Sequence, residues 1–254
     1  MVSKDVNLSK RMEAVVKMVS PQSFAIADVG CDHAYVSIAL VKRKLADKVI
    51  AMDVRKGPLD IAKRNVELAG LTKRIDIRLG DGLEKLQPGE VDTIIIAGMG
   101  GLLIKAILER GEHILSYEDR RPTLILQPQS DWKEVRMFLE QCAYDIVSEH
   151  MLIEDGKYYT VMKAKPSGNG SWDYKEEESL YGRCNLAEQS KALYEFLQRE
   201  RSSLTEISEH VRLSLENAQA SGKEVACSTR ERLYSVQHEL EMNARAMQYY
   251  IDKE

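Results

Sequence analysis

Apolar positions keep two different rhythms along the chain, and the change from one to the other falls near residue 165. Up to that point, short β-compatible runs alternate with stretches in which apolar side chains recur every three or four residues. The runs Phe24–Val29, Lys48–Asp53, Ile75–Leu79, Val91–Ala97 and Thr123–Leu126 have the apolar character of buried strands. Between them, residues 34–44, 58–69, 102–109 and 132–141 carry helical spacing. Strand and helix in alternation predict a parallel sheet with right-handed crossovers. Ile146–Met151 and Tyr158–Ala164, joined by Glu154-Asp155-Gly156-Lys157, read instead as an antiparallel hairpin, which brings the sheet to seven strands. Ahead of the first strand, Leu8, Met12, Val15, Val16 and Val19 predict an amphipathic helix over residues 7–20, ended by Pro21 and lying on the sheet or over its ligand edge.

Beyond Lys165 the run Pro166-Ser-Gly-Asn-Gly-Ser171 reads as a linker, followed by Trp172 and the acidic triplet Glu176-Glu177-Glu178. Leu186, Leu193, Leu197, Leu204, Ile207, Val211 and Leu215 then hold a three-or-four spacing, which Ser221-Gly222 interrupts and Leu233, Val236, Leu240, Met247 and Ile251 resume. Two long helices joined by a turn at Gly222 predict a C-terminal coiled-coil hairpin. The expected division is a ligand-binding α/β domain over residues 1–165 and a helical hairpin domain over 170–254.

Composition narrows the setting. No apolar run approaches the roughly 20 residues of a membrane span, and the N-terminal segment mixes lysine and arginine with acids in place of a signal-peptide core. Cys31, Cys142, Cys184 and Cys227 are far apart and make neither a C-x-x-C pair nor a metal-ligand spacing, so they read as reduced thiols of a cytoplasmic protein that holds no metal. The formal net charge of −4 hides an asymmetry: residues 1–78 carry +6 and residues 166–254 carry −5. Lys42-Arg43-Lys44, Arg55-Lys56, Lys63-Arg64 and Lys73-Arg74 all lie in the positive part, where they form either a surface for a polyanion or a solvated helix and loop surface.

Candidate chemistry gathers at strand ends, the edge at which open α/β sheets bind ligands. The stretch Asp28-Val-Gly-Cys-Asp-His-Ala-Tyr35 is a strand end, a tight turn at Gly30 and a helix start. The second and third glycines of a dinucleotide fingerprint are replaced by Asp32 and Tyr35, so a pyrophosphate would meet negative charge. The turn suits a ligand bearing an ammonium as well as a carboxylate. Asp53, with Val54, ends the second strand where ribose hydroxyls would need an acceptor; Gly57-Pro58 opens the next helix. Gly80-Asp81-Gly82 follows the third strand and is placed to take an adenine amino group. Ala97-Gly98-Met99-Gly100-Gly101 ends the fourth and leaves room for a flat substrate. Cys31, inside the first turn, is either a reactive thiol or inert packing.

The D-x-G-x-D form of the first turn resembles the first motif of Rossmann-like S-adenosylmethionine-dependent methyltransferases, whose parallel sheet also finishes in an antiparallel hairpin. Across nearly the whole chain, Asp28–Tyr35, Gly57-Pro58, Ile96–Gly101, Leu126-Gln-Pro-Gln129 and Glu154–Tyr159, with the helical tail, look like the bacterial tRNA adenine N1-methyltransferase family known as TrmK. The resemblance implies a class I methyltransferase fold, S-adenosylmethionine as cofactor, no metal, and methylation of N1 of the adenine at position 22 in the D-arm region of tRNA. Adenine N1 offers a neutral in-plane lone pair, so such a reaction needs alignment of the base and exclusion of water and no strong general base. On this reading Asp28, Gly30, Cys31, Asp53, Val54, Gly57, Pro58, Gly80, Asp81, Gly82, Ala97, Gly98 and Met99 hold the cofactor. Asp32, His33 and Tyr35 support the reacting base, or Asp32 contacts only the cofactor's ammonium. Gly100, Gly101, Gln127, Gln129, Tyr159, Lys42 and Arg43 contact the tRNA. The alternatives are a methyltransferase of the same fold acting on another RNA, a protein or a small molecule, and a non-catalytic nucleoside-binding scaffold. The hairpin is open to tRNA binding, partner recruitment or self-association.

Overall fold

The computed structural model describes residues 6–117, 120–167, 174–221 and 227–251. The chain divides into two compact units, residues 1–173 and 174–254. In the first, β1 (Ser23–Val29), β2 (Ala46–Asp53), β3 (Ile75–Leu79), β4 (Thr93–Met99), β5 (Thr123–Pro128), β6 (Tyr144–Glu154) and β7 (Lys157–Pro166) form one sheet in the order 3-2-1-4-5-7-6. The first five strands pair in parallel, and β7 runs antiparallel to both β5 and β6. Helices α1 (Lys10–Met18), α2 (Tyr35–Lys42), α3 (Lys56–Leu68), α4 (Gly101–Arg110), α5 (Glu112–Leu115) and α6 (Trp132–Gln141) belong to the same unit. This is the expected Rossmann-like sheet with its antiparallel end.

The alternation of side chains along each strand sorts the core into two layers. Ala25, Ala27 and Val29 of β1 share one layer with Ile94 and Ile96 of β4 and with Ile104, Leu108, Val135 and Leu139 of α4 and α6. Ile26, Val49, Ala51, Ile95 and Ile125 share the other with Val15 and Val16 of α1, Ile38 and Leu40 of α2, and Leu59 and Ala62 of α3. Helices on both faces explain why the central strands are apolar at nearly every position. Strand order also sets the ligand edge: β1, β2 and β3 are laid outward in one direction, and β4 returns to the other side of β1. Beyond the strand ends, the two halves leave a crevice between β1 and β4.

Sequence and structure differ mainly at element ends. The hairpin strands extend several residues past their apolar portions because main-chain pairing continues from Tyr144↔Pro166 to Glu154↔Lys157. One-turn α5 is too short to show a periodicity. α1 starts at Lys10, where the Ser9 hydroxyl accepts from the Met12 N–H at 3.3 Å.

The second unit consists of α7 (Glu176–Tyr181), α8 (Arg183–Ala187), α9 (Lys191–Ala220) and α10 (Cys227–Gln248). Leu186, assigned by spacing to the first long helix, sits in α8, because the backbone breaks at Gln189, with a φ of 53°. α9 has 30 residues, about 45 Å at 1.5 Å per residue. Its packing with α10 contains a polar node: buried Asn243 donates to the Leu197 carbonyl and to Glu200, both at 2.9 Å, and the Tyr181 hydroxyl donates to the same carboxylate at 2.7 Å. A buried amide in an otherwise apolar seam fixes register between two helices. The linker stretch 168–171, Trp172 and the Gly222 turn lie outside the described residues.

Two glycines at helix starts separate packing from propensity. A Cβ on Gly101 would run into the Ser130 carbonyl and lie 2.8 Å from that of Asp131, whereas one on Gly57 meets nothing within 4 Å. Gly101→Ala is expected to lose about 1–3 kcal/mol in urea denaturation, and Gly57→Ala to gain about 0.4–1 kcal/mol.

Candidate active site

Five residues separate the end of β1 from the start of α2, and three of them are left-handed: Gly30 at φ 73°, Asp32 at 50° and Ala34 at 60°. Only Gly30 adopts that conformation without steric cost. The remaining strain is held by neighbours. The N–H groups of Gly30 and Cys31 both donate to the Met52 carbonyl of β2, at 2.8 and 2.9 Å, and the Asp32 N–H donates to Asp53 Oδ2 at 3.3 Å. From α3, Asn65 Nδ2 donates to the His33 carbonyl at 2.9 Å. Gly30 answers a second need, since the Met99 methyl lies across it in the space that a Cβ would take.

Three carboxylates surround this turn. Asp28 shares the face of Ile26, points under α2 and accepts from the Ser37 hydroxyl at 2.5 Å. Burial raises its pKa from the usual 3.8 to about 6, against the opposing effect of that hydrogen bond. Asp53 is buried at the end of β2; its Oδ1 accepts from the Arg55 N–H at 2.9 Å and from Arg55 Nε at 3.4 Å. Asp32 is exposed, 3.5 Å from His33 Nδ1 and 3.8 Å from the Arg55 guanidinium. Tyr35 follows at the start of α2, its ring edge-on to His33 at 6.1 Å. The Cys31 thiol is pushed far up, first by burial and then by the same carboxylates, so it stays protonated and packs as an inert group.

The turn forms one wall of a cavity of about 710 Å³. Val54, then Gly80, Asp81 and Gly82 from the β3 end, and Ala97, Gly98 and Met99 from the β4 end continue it; Leu103 and Ile107 of α4 and Gln129 close one side. Asp81 is held by Arg110, 3.1 Å from Oδ1. The entry to α1 forms a further wall, through Asn7, Leu8, Ser9, Arg11 and Met12. There the Arg11 main-chain N–H donates to Glu154 at 3.3 Å, and its guanidinium lies 5.0 Å over the Tyr159 ring, tying the α1 wall to the β6–β7 hairpin. Among the described residues, no group of His, Cys, Asp or Glu is arranged to hold a metal ion, and no helix is long and apolar enough to cross a membrane.

Several residues expected to touch ligand lie outside the cavity lining and have structural roles. Gly57 and Pro58 lie in the first turn of α3 and not along the cavity, where proline loses nothing because first-turn N–H groups have no helical partner. Gly100 caps α4 and Gly101 packs on the β5–α6 turn. Gln127 is fully buried; its Oε1 accepts from the Gly98 N–H at 3.0 Å and supports the β4 end from behind. Lys42 and Arg43 are at the wrong edge of the sheet. A crossover helix runs back along its strand, so the end of α2 reaches the region where Ser23 pairs with Ala46, and Arg43 is bound there to Glu13 at 2.7 Å. Arg74 lies at that same edge, on the Ala46 and Asp47 carbonyls. Ser37, Asn65 and Arg110, whose partners come from other elements, carry no signal in the sequence, and Arg55 stands there only as a member of a basic pair. Ser9, a cap in front of the apolar periodicity, locates the α1 N-terminus that lines the cavity.

A family model described as tRNA (adenine(22)-N(1))-methyltransferase, TrmK, matches residues 26–233. The protein of that name from Bacillus subtilis is 42% identical over 161 residues, which cover 63% of this chain and 66% of that one. The crystal structure of the B. subtilis m1A22 tRNA methyltransferase superposes with a TM-score of 0.81 at 31% identity, covering 95% of this chain and 99% of that one. A Streptococcus pneumoniae chain solved in complex with S-adenosyl-L-methionine gives 0.71 at 31% identity, covering 92% and 100%.

The buried carboxyl makes a pH-dependent contribution. Folded Asp28 keeps its proton up to about pH 6, whereas an unfolded one releases it near 3.8, so between these values the folded state binds more protons and stability falls as pH rises. Asp28→Asn, which keeps an acceptor for Ser37, is expected to remove that fall. Thermal unfolding without ligand should show the variant more stable than wild type by about 1–3 kcal/mol at pH 7 and equal to it near pH 4.

Proposed function

The chain belongs to the tRNA (adenine(22)-N(1))-methyltransferase family, and we propose that it transfers the methyl group of S-adenosylmethionine to N1 of adenine 22 in tRNA. The observation that carries this reading is the convergence of Asp28, Asp32 and Asp53 on one glycine turn that opens into the 710 Å³ cavity. An electropositive organic ligand with a diol matches that charge and shape. When bound, S-adenosylmethionine supplies an electrophilic methyl on a sulfonium.

The chain's own residues fit such a group. Asp53 has one oxygen fixed by the Asp32 N–H and the other by the Arg55 N–H, which leaves lone pairs for two ribose hydroxyls. Asp28 and Asp32 supply negative charge for the methionine ammonium, and the sharp turn at Gly30 lets the backbone approach it. Asp81, oriented by Arg110, accepts from the adenine amino group of the cofactor. The β1–β3 ends, with Ala97, Gly98 and Met99 of the β4 end, thus serve the cofactor, and the β5 end beside them, with the α1 wall, takes the substrate purine. Its N1 carries its own lone pair, so no side chain has to remove a proton. Asp32, the nearest exposed carboxylate, opposes the positive charge that spreads over the methylated ring, and His33 and Tyr35 border the base. N1 lies on the Watson–Crick edge, so adenine 22 must leave its stack to enter.

The phosphates of the tRNA meet the exposed cations at the ligand edge: Lys10 at the α1 start, Arg55 and Lys56 at the α3 start, and Lys157 at the hairpin.

Incubation with total tRNA from cells lacking the gene and a labelled methyl donor, followed by nucleoside mapping, is expected to yield 1-methyladenosine at position 22; any other product overturns the substrate assignment. Asp53→Ala should abolish measurable cofactor binding in calorimetry while the protein stays folded. Neutralising Arg55 and Lys56 together should weaken tRNA binding and reduce the slope of log Kd against log salt by about 1–2. The same slope should be unchanged in Lys42→Ala, and a reversal of these two results would move the RNA to the opposite edge.

A further inference from the structure

Two glutamines stand two residues apart at the end of β5, and the fold uses them in opposite ways. Gln127 is spent on the backbone: its amide accepts from the Gly98 N–H and donates to the Pro128 carbonyl. Gln129 has its main chain fixed, its N–H donating to the Met99 carbonyl at 2.8 Å, but its side-chain amide is exposed and has no hydrogen-bond partner among the described residues. That amide borders the cavity, its Nε2 3.9 Å from the position a Cβ would take on Gly98. A planar donor–acceptor pair therefore stands just past the β5 end, on the cavity wall beside Gly98.

Resting on the methyl-transfer reading above, we propose that Gln129 is the residue that recognises the target base as adenine, by pairing its amide with the N6 and N7 edge. Oε1 accepts the N6 hydrogen that lies on the N7 side, and Nε2 donates to N7. Both contacts avoid N1, whose lone pair stays free to face the methyl donor. Guanine presents two acceptors, O6 and N7, at the same edge, so Oε1 would oppose O6 and the base would be rejected.

The test compares tRNA carrying adenine or 7-deazaadenine at position 22, with the wild type and with Gln129→Ala. Replacing N7 also changes the basicity of N1, but that change is common to both enzymes and cancels in the ratio of ratios. Gln129→Ala is expected to lower kcat/KM on the adenine substrate about 10- to 100-fold, with the Kd for S-adenosylmethionine within twofold of wild type. The penalty for 7-deazaadenine should be at least about fivefold smaller in the variant than in the wild type. Gln129→Glu, which keeps the acceptor and loses the donor, should share that insensitivity to 7-deazaadenine. Equal 7-deaza penalties in wild type and Gln129→Ala, or unchanged activity of that variant on adenine, overturn the assignment. Wild-type methylation of the adenine substrate is the control that separates the two claims: its absence overturns the methyl-transfer reading and this one with it, whereas its presence with equal penalties overturns the role of Gln129 alone.

Discussion

The site depends on a backbone conformation that the turn cannot maintain by itself. Two non-glycine residues, Asp32 and Ala34, are left-handed within five positions, and each costs roughly 1–3 kcal/mol unless its surroundings enforce it. Enforcement comes from the neighbouring strand and helix: the Met52 carbonyl, the Asp53 carboxylate and the Asn65 amide. Asp53 is thus an anchor of the turn and, on the proposed reading, also the acceptor for the ribose. On that reading one carboxylate sets both the geometry of the glycine turn and the ribose contact, so a change at Asp53 cannot be confined to one of them.

The sheet and most of its helices were legible because both layers of the core repeat along the chain: Ile94, Ile95 and Ile96 announce a strand covered on both faces, and Leu8, Met12, Val15, Val16 and Val19 an amphipathic helix. The acidic strand ends were legible too, since Asp28, Asp53 and Asp81 each follow an apolar run. The partners of those acids were not. Ser37, Asn65 and Arg110 are ordinary helix residues in the sequence, and only the packing of α2, α3 and α4 on the sheet gives them a function. The same holds for Gln127 and Gln129, which one motif presents as equivalents and the fold separates into a buried brace and an exposed amide.

Charge was the least legible property. Summed along the chain, Lys42-Arg43-Lys44 and Lys73-Arg74 belong with Arg55-Lys56, but a right-handed crossover returns each connection to the starting edge of the sheet. Residues just before a strand and residues just after it therefore end on opposite sides of the molecule, whatever their distance in sequence. Arg43 and Arg74 brace that starting edge through Glu13 and the Ala46 and Asp47 carbonyls. Arg55 and Lys56 remain at the edge where the glycine turn opens.

The Met99 methyl, lying over Gly30, bears on turnover. For a cofactor whose methionine end crosses that glycine, entry exchanges one thioether-like chain for another, so the dry packing formed on arrival largely replaces dry packing already present. Little affinity is then left to sulfur and methylene surface, and most must come from the charged ends. On the proposed reaction, the spent molecule would lack the sulfonium charge, and the Met99 methyl would take back the space over Gly30, an exchange that would favour departure of the by-product.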